Sequence, residues 1–129
     1  MQRDVDLMIK EFQMQDLDAV MKIWLDTNVS AHPFIDPEIW ENYFDVVKEQ
    51  MPLAVIFEYC EDDMLRGFIG VVEGGYIAGL FVDEIFQSQG VGRKLLDYAK
   101  DRYPVLELDV FRENQNAVRF YANNGFIIV

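Results

Sequence analysis

The chain has 129 residues and is 51% hydrophobic, which suits one compact domain with a sizeable core and excludes a disordered chain. Its 23 acidic residues against 11 basic ones give a formal net charge of −12. That charge excludes nucleic acid as a partner, because such binding rests on basic patches set against phosphate. One cysteine, Cys60, and one histidine, His32, exclude an internal disulfide and a Cys/His zinc site, and no other metal site is expected. Arg3, Asp4 and Asp6 precede any apolar run, unlike a secretory signal. No apolar stretch approaches the ~18 residues of a membrane span. The expected location is therefore a reducing cytoplasm, with no membrane contact.

Residues 5–12 read as a first strand. Asp16 reads as a helix cap, followed by Leu17, Val20, Met21, Trp24 and Leu25 at the spacing of an amphipathic helix. Residues 28–35 form a loop holding His32 and Pro33. Asp36 and Pro37 start a second helix, whose apolar face is Ile39, Trp40, Tyr43, Phe44 and Val47. Two strands follow at 53–60 and 65–73, and Gly74 and Gly75 turn the chain into a third at 76–82. The connection 83–89 is polar. A third helix runs from Gly90 to about Tyr103 and stops at Pro104. Residues 105–111 read as a strand, 114–123 as a fourth helix ended at Asn124 and Gly125, and 126–129 as a last short strand. The order is β-α-α-β-β-β-α-β-α-β. It predicts a single α/β domain over 1–129, its sheet an antiparallel meander first and mixed later, with helices on both faces.

Chemistry concentrates where the strand at 76–82 runs into Gln87, Gly90 and Gly92. Two glycines let a ligand approach the backbone. The unpaired amides of a helix start favour negative charge at the same place. Arg93 and Lys94 add positive charge to an acidic protein, so the segment predicts a pyrophosphate cradle. It is not a Walker A loop, which needs a Gly-Lys-Ser/Thr ending. It is not a dinucleotide fingerprint either, because Leu95 stands where the third glycine belongs.

Gln87-x-x-Gly90-x-Gly92 after an apolar strand resembles the acetyl-coenzyme A signature of the GNAT superfamily of N-acetyltransferases. Asn114, Ala117, Phe120, Tyr121, Gly125 and Phe126 resemble the later pattern of the same family, and the spacing agrees throughout. The resemblance implies the GNAT fold, acetyl-coenzyme A as cofactor, and transfer of its acetyl group to a primary amine of a small molecule or protein. It also implies that Leu80, Phe81 and Val82 offer backbone groups to the pantetheine arm, which lies like an extra strand. The amides of Gln89, Gly90, Val91, Gly92, Arg93 and Lys94, with the Gln87 side chain nearby, would hold the pyrophosphate. Asn114 would contact pantetheine, and Tyr121 would stand by the thioester sulfur.

Attack on the thioester needs a neutral amine, and a lysine-type amine has a pKa of about 10.4, so a base or water chain must take its proton. His32 is the candidate, in the loop where the family forms its acceptor site. Glu73, Asp83, Glu84, Glu107 and Asp109 are alternatives. Trp24, Phe34, Trp40 and Tyr43 are candidates for an acceptor wall, with core packing the simpler account. Because no base is evident, a non-catalytic acyl-coenzyme A sensor stays open beside the enzyme. The family usually continues through one further strand after Phe126, where this chain stops at Val129. The expectation is a sheet edge completed by a second copy, or a marginally stable monomer.

Overall fold

The computed structural model describes residues 8–129, so the first part of the strand expected over 5–12 lies outside the described residues. The elements are β1 (Ile9–Glu11), α1 (Leu17–Ala31), α2 (Pro37–Gln50), β2 (Val55–Glu61), β3 (Met64–Val72), β4 (Tyr76–Val82), α3 (Val91–Lys100) and α4 (Gln115–Asn123). The four strands form one antiparallel sheet in the order β1-β2-β3-β4. Alternation along β2 to β4 sends side chains to two cores. Phe57, Tyr59, Ile69, Val71 and Ile77 meet Leu95, Leu96 and Ala99 of α3. Ile56 and Phe68 meet Val20, Met21 and Trp24 of α1 on the other face.

Local signals act as expected at most boundaries. The Asp36 side chain accepts a hydrogen bond from the Glu38 amide at 2.9 Å, and Pro37 opens α2. Asp62 and Asp63 take positive φ in the β2–β3 turn. Gly75 is required between β3 and β4, because a Cβ there would collide with the Val105 carbonyl.

Five expectations are corrected. Helix α1 runs on to Ala31, so its last turn occupies part of the loop expected over 28–35. Asp16 stands at its cap position but makes no capping hydrogen bond. On α2, Ile39 and Tyr43 are 47% and 58% exposed; Trp40, Phe44 and Val47 do the packing against the α1 core. Residues 105–111 form no strand beyond a single parallel bridge between Tyr76 and Glu107. There the Ile77 amide donates to the Glu107 carbonyl and the Glu107 amide to the Gly75 carbonyl. After this the segment leaves β4, because Leu106 and Leu108 turn into the α3 core while Val110 and Phe111 stay exposed. Residues 126–129 are not a strand either; Ile127, Ile128 and Val129 are exposed and find no ladder among the described residues. The mixed part of the expected sheet is thus reduced to one bridge.

One acid enters the core. Glu58 on β2 is fully buried, beside Lys10 on β1 and Phe68 on β3. Lys10 Nζ lies 3.8 Å from Glu58 Oε1 and 3.5 Å from Asp16 Oδ2. Burial, then the neighbouring Asp16 carboxylate, push Glu58 up to about 8, against the pull of Lys10. Glu58 therefore keeps its proton at neutral pH.

Candidate active site

The site begins at the free edge of β4. Along an antiparallel ladder, successive residues turn their backbone groups to opposite edges. The Asp83 amide donates to the Arg66 carbonyl of β3. Val82 and Leu80 therefore turn theirs to the open side, and Phe81 turns its own to β3. The Gln87 side chain confirms the phase by donating from Nε2 to the Val82 carbonyl at 2.9 Å. That bond folds the β4–α3 connection back onto the strand end. Asp83 stiffens the same connection by accepting from the Ile85 amide at 3.1 Å. Arg66 lies 4.2 Å over the Phe86 ring.

Gly90 takes φ 83 at the start of α3, and no side chain caps the helix. The Lys94 amide closes the first turn on the Gly90 carbonyl. The amides of Val91, Gly92 and Arg93 stay without intrahelical partners. Facing them, α4 begins at Asn114, whose Oδ1 accepts from the Ala117 amide at 3.2 Å. Between the two helices and β4 lies a cavity of about 1020 Å³. Leu80, Val82, Gln87, Gly90, Val91, Gly92, Arg93, Asn114 and Tyr121 all line it. Burial alone pushes the Tyr121 phenol up to about 12, so it is a proton donor throughout the neutral range.

Four anticipated residues are not among the lining. Phe81 packs on Phe68, ring centroids 5.1 Å apart, on the α1 face. The Gln89 side chain donates to the Ile85 carbonyl at 3.4 Å. The Lys94 ammonium turns to Tyr59, 5.5 Å from its ring centroid, and its amide is spent inside the helix. His32 is only 8% exposed and packs against Phe34, Trp40 and Phe111. Trp24 and Trp40 meet edge to face at 6.0 Å and belong to the core.

None of the acids considered as bases lines the cavity. Asp109 accepts from the Tyr76 hydroxyl at 2.7 Å, and Glu73 sits at positive φ in the β3–β4 turn. Asp83 and Glu84 instead join Asp26 and Glu41 around a neighbouring cleft of about 590 Å³, which shares Thr27 and Ser30 with the main cavity. Sequence reasoning missed, among others, Thr27, Ser30, Glu113, Asn116 and Arg119 as lining residues. Only Arg119 carried a signal, two positions before Tyr121 in the later motif.

The residues present fit a nucleotide thioester. An uncapped helix start and two arginines, Arg93 (3.8 Å from Asp97) and Arg119, line the cavity against a single lining acid, Glu113, in a chain with net charge −12. They supply the local field that a polyanion needs. A strand edge with the backbone groups of Leu80 and the amide of Val82 unspent, the Val82 carbonyl being taken by Gln87, suits an amide-bearing arm.

Comparison with known proteins agrees. The chain belongs to the GNAT acetyltransferase family: the profile of the acetyltransferase (GNAT) domain matches residues 14–129. It is an N-acetyltransferase of a family that uses acetyl-coenzyme A, which favours the enzyme over the sensor. It is 35% identical over 123 residues to the peptidyl-lysine N-acetyltransferase YiaC of Escherichia coli, covering 95% of this chain and 84% of that protein. It is 29% identical over 119 residues to the peptidyl-lysine N-acetyltransferase YjaB of the same organism, covering 92% and 80%. The solution structure of apo YjaB superposes with a TM-score of 0.83 over 94% of this chain and 82% of that one, at 27% identity. The PaiA N-acetyltransferase of Thermoplasma acidophilum, solved with coenzyme A, shares the fold with a TM-score of 0.81 at 18% identity, over 94% of this chain and 89% of that one.

Proposed function

We propose that this enzyme acetylates the side-chain amine of protein lysines by direct attack on acetyl-coenzyme A in a ternary complex. The observation that carries the reading is the convergence of three things on one cavity: the open backbone groups of Leu80 and amide of Val82, the unspent amides of α3, and the Tyr121 hydroxyl. Leu80 and Val82 hold the pantetheine arm along the β4 edge. The amides of Val91, Gly92 and Arg93, with the Arg93 and Arg119 side chains, hold the pyrophosphate. Gln87 keeps the loop in place through the Val82 carbonyl, and Asn114 faces the arm from α4.

The neutral amine attacks the thioester carbon. Negative charge grows on the carbonyl oxygen, and the Val82 amide would donate to it. The carbon–sulfur bond breaks, the sulfur leaves as thiolate and takes the Tyr121 proton, and the proton lost by the amine restores the phenol. A lysine acceptor is supported by the activities named for YiaC and YjaB. It is also supported by the cleft beside the cavity, where Lys22 pairs with Asp26 at 2.7 Å and Glu41, Asp83 and Glu84 leave an excess of negative charge that attracts a cationic side chain.

The chain is read as one domain, because both cores share one sheet. Among the described residues no helix is long and apolar enough to cross a membrane. A cytoplasmic location rests on the single free cysteine, Cys60. Exposed Val105, Val110 and Phe111 support pairing of two copies through the segment that leaves β4, which light scattering would test. The activity test is mass spectrometry of lysine peptides incubated with acetyl-coenzyme A. Acetylated lysine is expected. Binding of the thioester with no peptide modified and no thiol released would overturn the acceptor assignment.

A further inference from the structure

His32 closes α1. Its amide donates to the Asn28 carbonyl at 3.1 Å, and its Nδ1 lies 2.9 Å from the same carbonyl oxygen. A carbonyl only accepts, so Nδ1 carries the ring proton. In a neutral imidazole Nε2 is then an acceptor, and the Asn114 Nδ2 group lies 3.5 Å from it. The Asn114 amide is thereby oriented at both ends, with Oδ1 on the Ala117 amide and Nδ2 toward the imidazole. The ring itself is held by Trp40, Phe34 and Phe111 at centroid distances of 5.1, 5.6 and 5.2 Å.

This chain of contacts passes outside the cavity at His32 and ties two of its walls together. Helix α1 and the residues after it bring Thr27, Ser30, Ala31 and Pro33 to one side; α4 brings Asn114, Ala117, Phe120 and Tyr121 to the other. Through His32 the end of α1 reaches the cap residue of α4.

We infer that His32 is a positioning residue for the cofactor site: it accepts from Asn114, fixes which face of that amide meets the pantetheine arm, and sets the spacing between α1 and α4. The inference rests on the proposed role of Asn114 toward the cofactor. It takes His32 out of the proton path, since Nδ1 is spent on a carbonyl and the ring lies outside the cavity lining.

The chain holds one histidine, so an NMR spectrum of protein labelled with ¹⁵N-histidine reads His32 without ambiguity. The Nδ1–H tautomer is expected, with the Nε2 resonance shifting in Asn114→Ser. An Nε2–H tautomer would overturn the inference, and this arm needs no ligand and no variant of His32.

The second arm is calorimetry with coenzyme A on wild type, His32→Phe, Asn114→Ser and the double variant, each checked by thermal melting. His32→Phe is expected to weaken binding roughly fivefold alone and to add nothing to Asn114→Ser, the mark of one shared interaction. Independent, additive losses would overturn the inference. With a lysine peptide, His32→Phe should raise KM for acetyl-coenzyme A and leave kcat within about twofold. A fall in kcat of a hundredfold or more at saturation is the signature of a lost base and would overturn it as well. Wild type that fails to bind coenzyme A would break the cofactor reading itself, while the tautomer would still report on His32.

Discussion

Two helix starts face each other across the cavity and are built in opposite ways. α3 opens at Gly90 in a left-handed conformation with no side-chain cap. α4 opens at Asn114, whose own side chain satisfies the Ala117 amide. The uncapped start keeps three amides for an anion; the capped one has spent its donor on folding and offers a shaped wall instead. Both follow from the same four orphan amides of any helix start, so the difference lies in whether a side chain or a ligand completes them. α1 gives a third solution: Asp16 stands at the cap position, yet turns toward Lys10 and the buried Glu58.

The largest test of this contrast is Gly92→Trp. A Cβ at Gly92 would stand 3.4 Å from Phe120 and 3.6 Å from Val82, so the backbone tolerates it, but an indole fills the cavity before the α3 amides. Coenzyme A affinity should drop a thousandfold or more, about 4 kcal/mol, by calorimetry, with cooperative melting retained. Near-normal affinity would mean that the anion does not bind at the start of α3.

The α1 start is tested next by Glu58→Gln. An unfolded glutamate titrates near 4.5, and the folded one is pushed up to about 8. The fold therefore binds the proton more tightly. The associated stability is complete below about pH 4.5, drains as pH rises, and is gone above about 8. Urea melts should show Glu58→Gln more stable than wild type at pH 9 by on the order of 3 kcal/mol, with little difference at pH 4.5. Equal losses with pH in both proteins would clear Glu58 of this role.

Tyr121→Phe asks whether α4 does more than shape the wall. At a saturating thioester, kcat should fall about 30-fold, near 2 kcal/mol, while coenzyme A affinity shifts less than about twofold. Because burial pushes the phenol up to about 12, the wild-type rate profile should show no alkaline decline from Tyr121 below that value. An unchanged kcat would leave Tyr121 as packing against Phe120 and Phe126. The smallest effect is on the cap: Asn114→Ala should cost about 1 kcal/mol in thermal or urea unfolding. No loss would mean that α4 needs no side chain at its start.

The sequence by itself determined what depends on neighbours along the chain. Asp36-Pro37 set the α2 start, Gly74-Gly75 the β3–β4 turn, and Gln87, Gly90 and Gly92 the entry into α3, because caps, turns and φ preferences act over a few residues. The later motif likewise located Asn114 and Tyr121 on one helix that reaches the cofactor cavity.

Only the tertiary structure decided which of these groups meet. Phe81 lies between Leu80 and Val82, yet the hydrogen bonds of β3 turn its backbone and side chain away from the open edge. Lys94 follows Arg93, yet one helical step takes its ammonium to Tyr59 and its amide into the ladder. Residues 105–111 alternate like a strand, but they meet β4 at one bridge and then part from it as Leu106 and Leu108 pack into the α3 core. His32 sits 82 positions from Asn114, and no local preference couples residues so far apart. Alternation and capping specify directions relative to the local backbone; packing of sheet and helices assigns those directions to core, cavity or solvent.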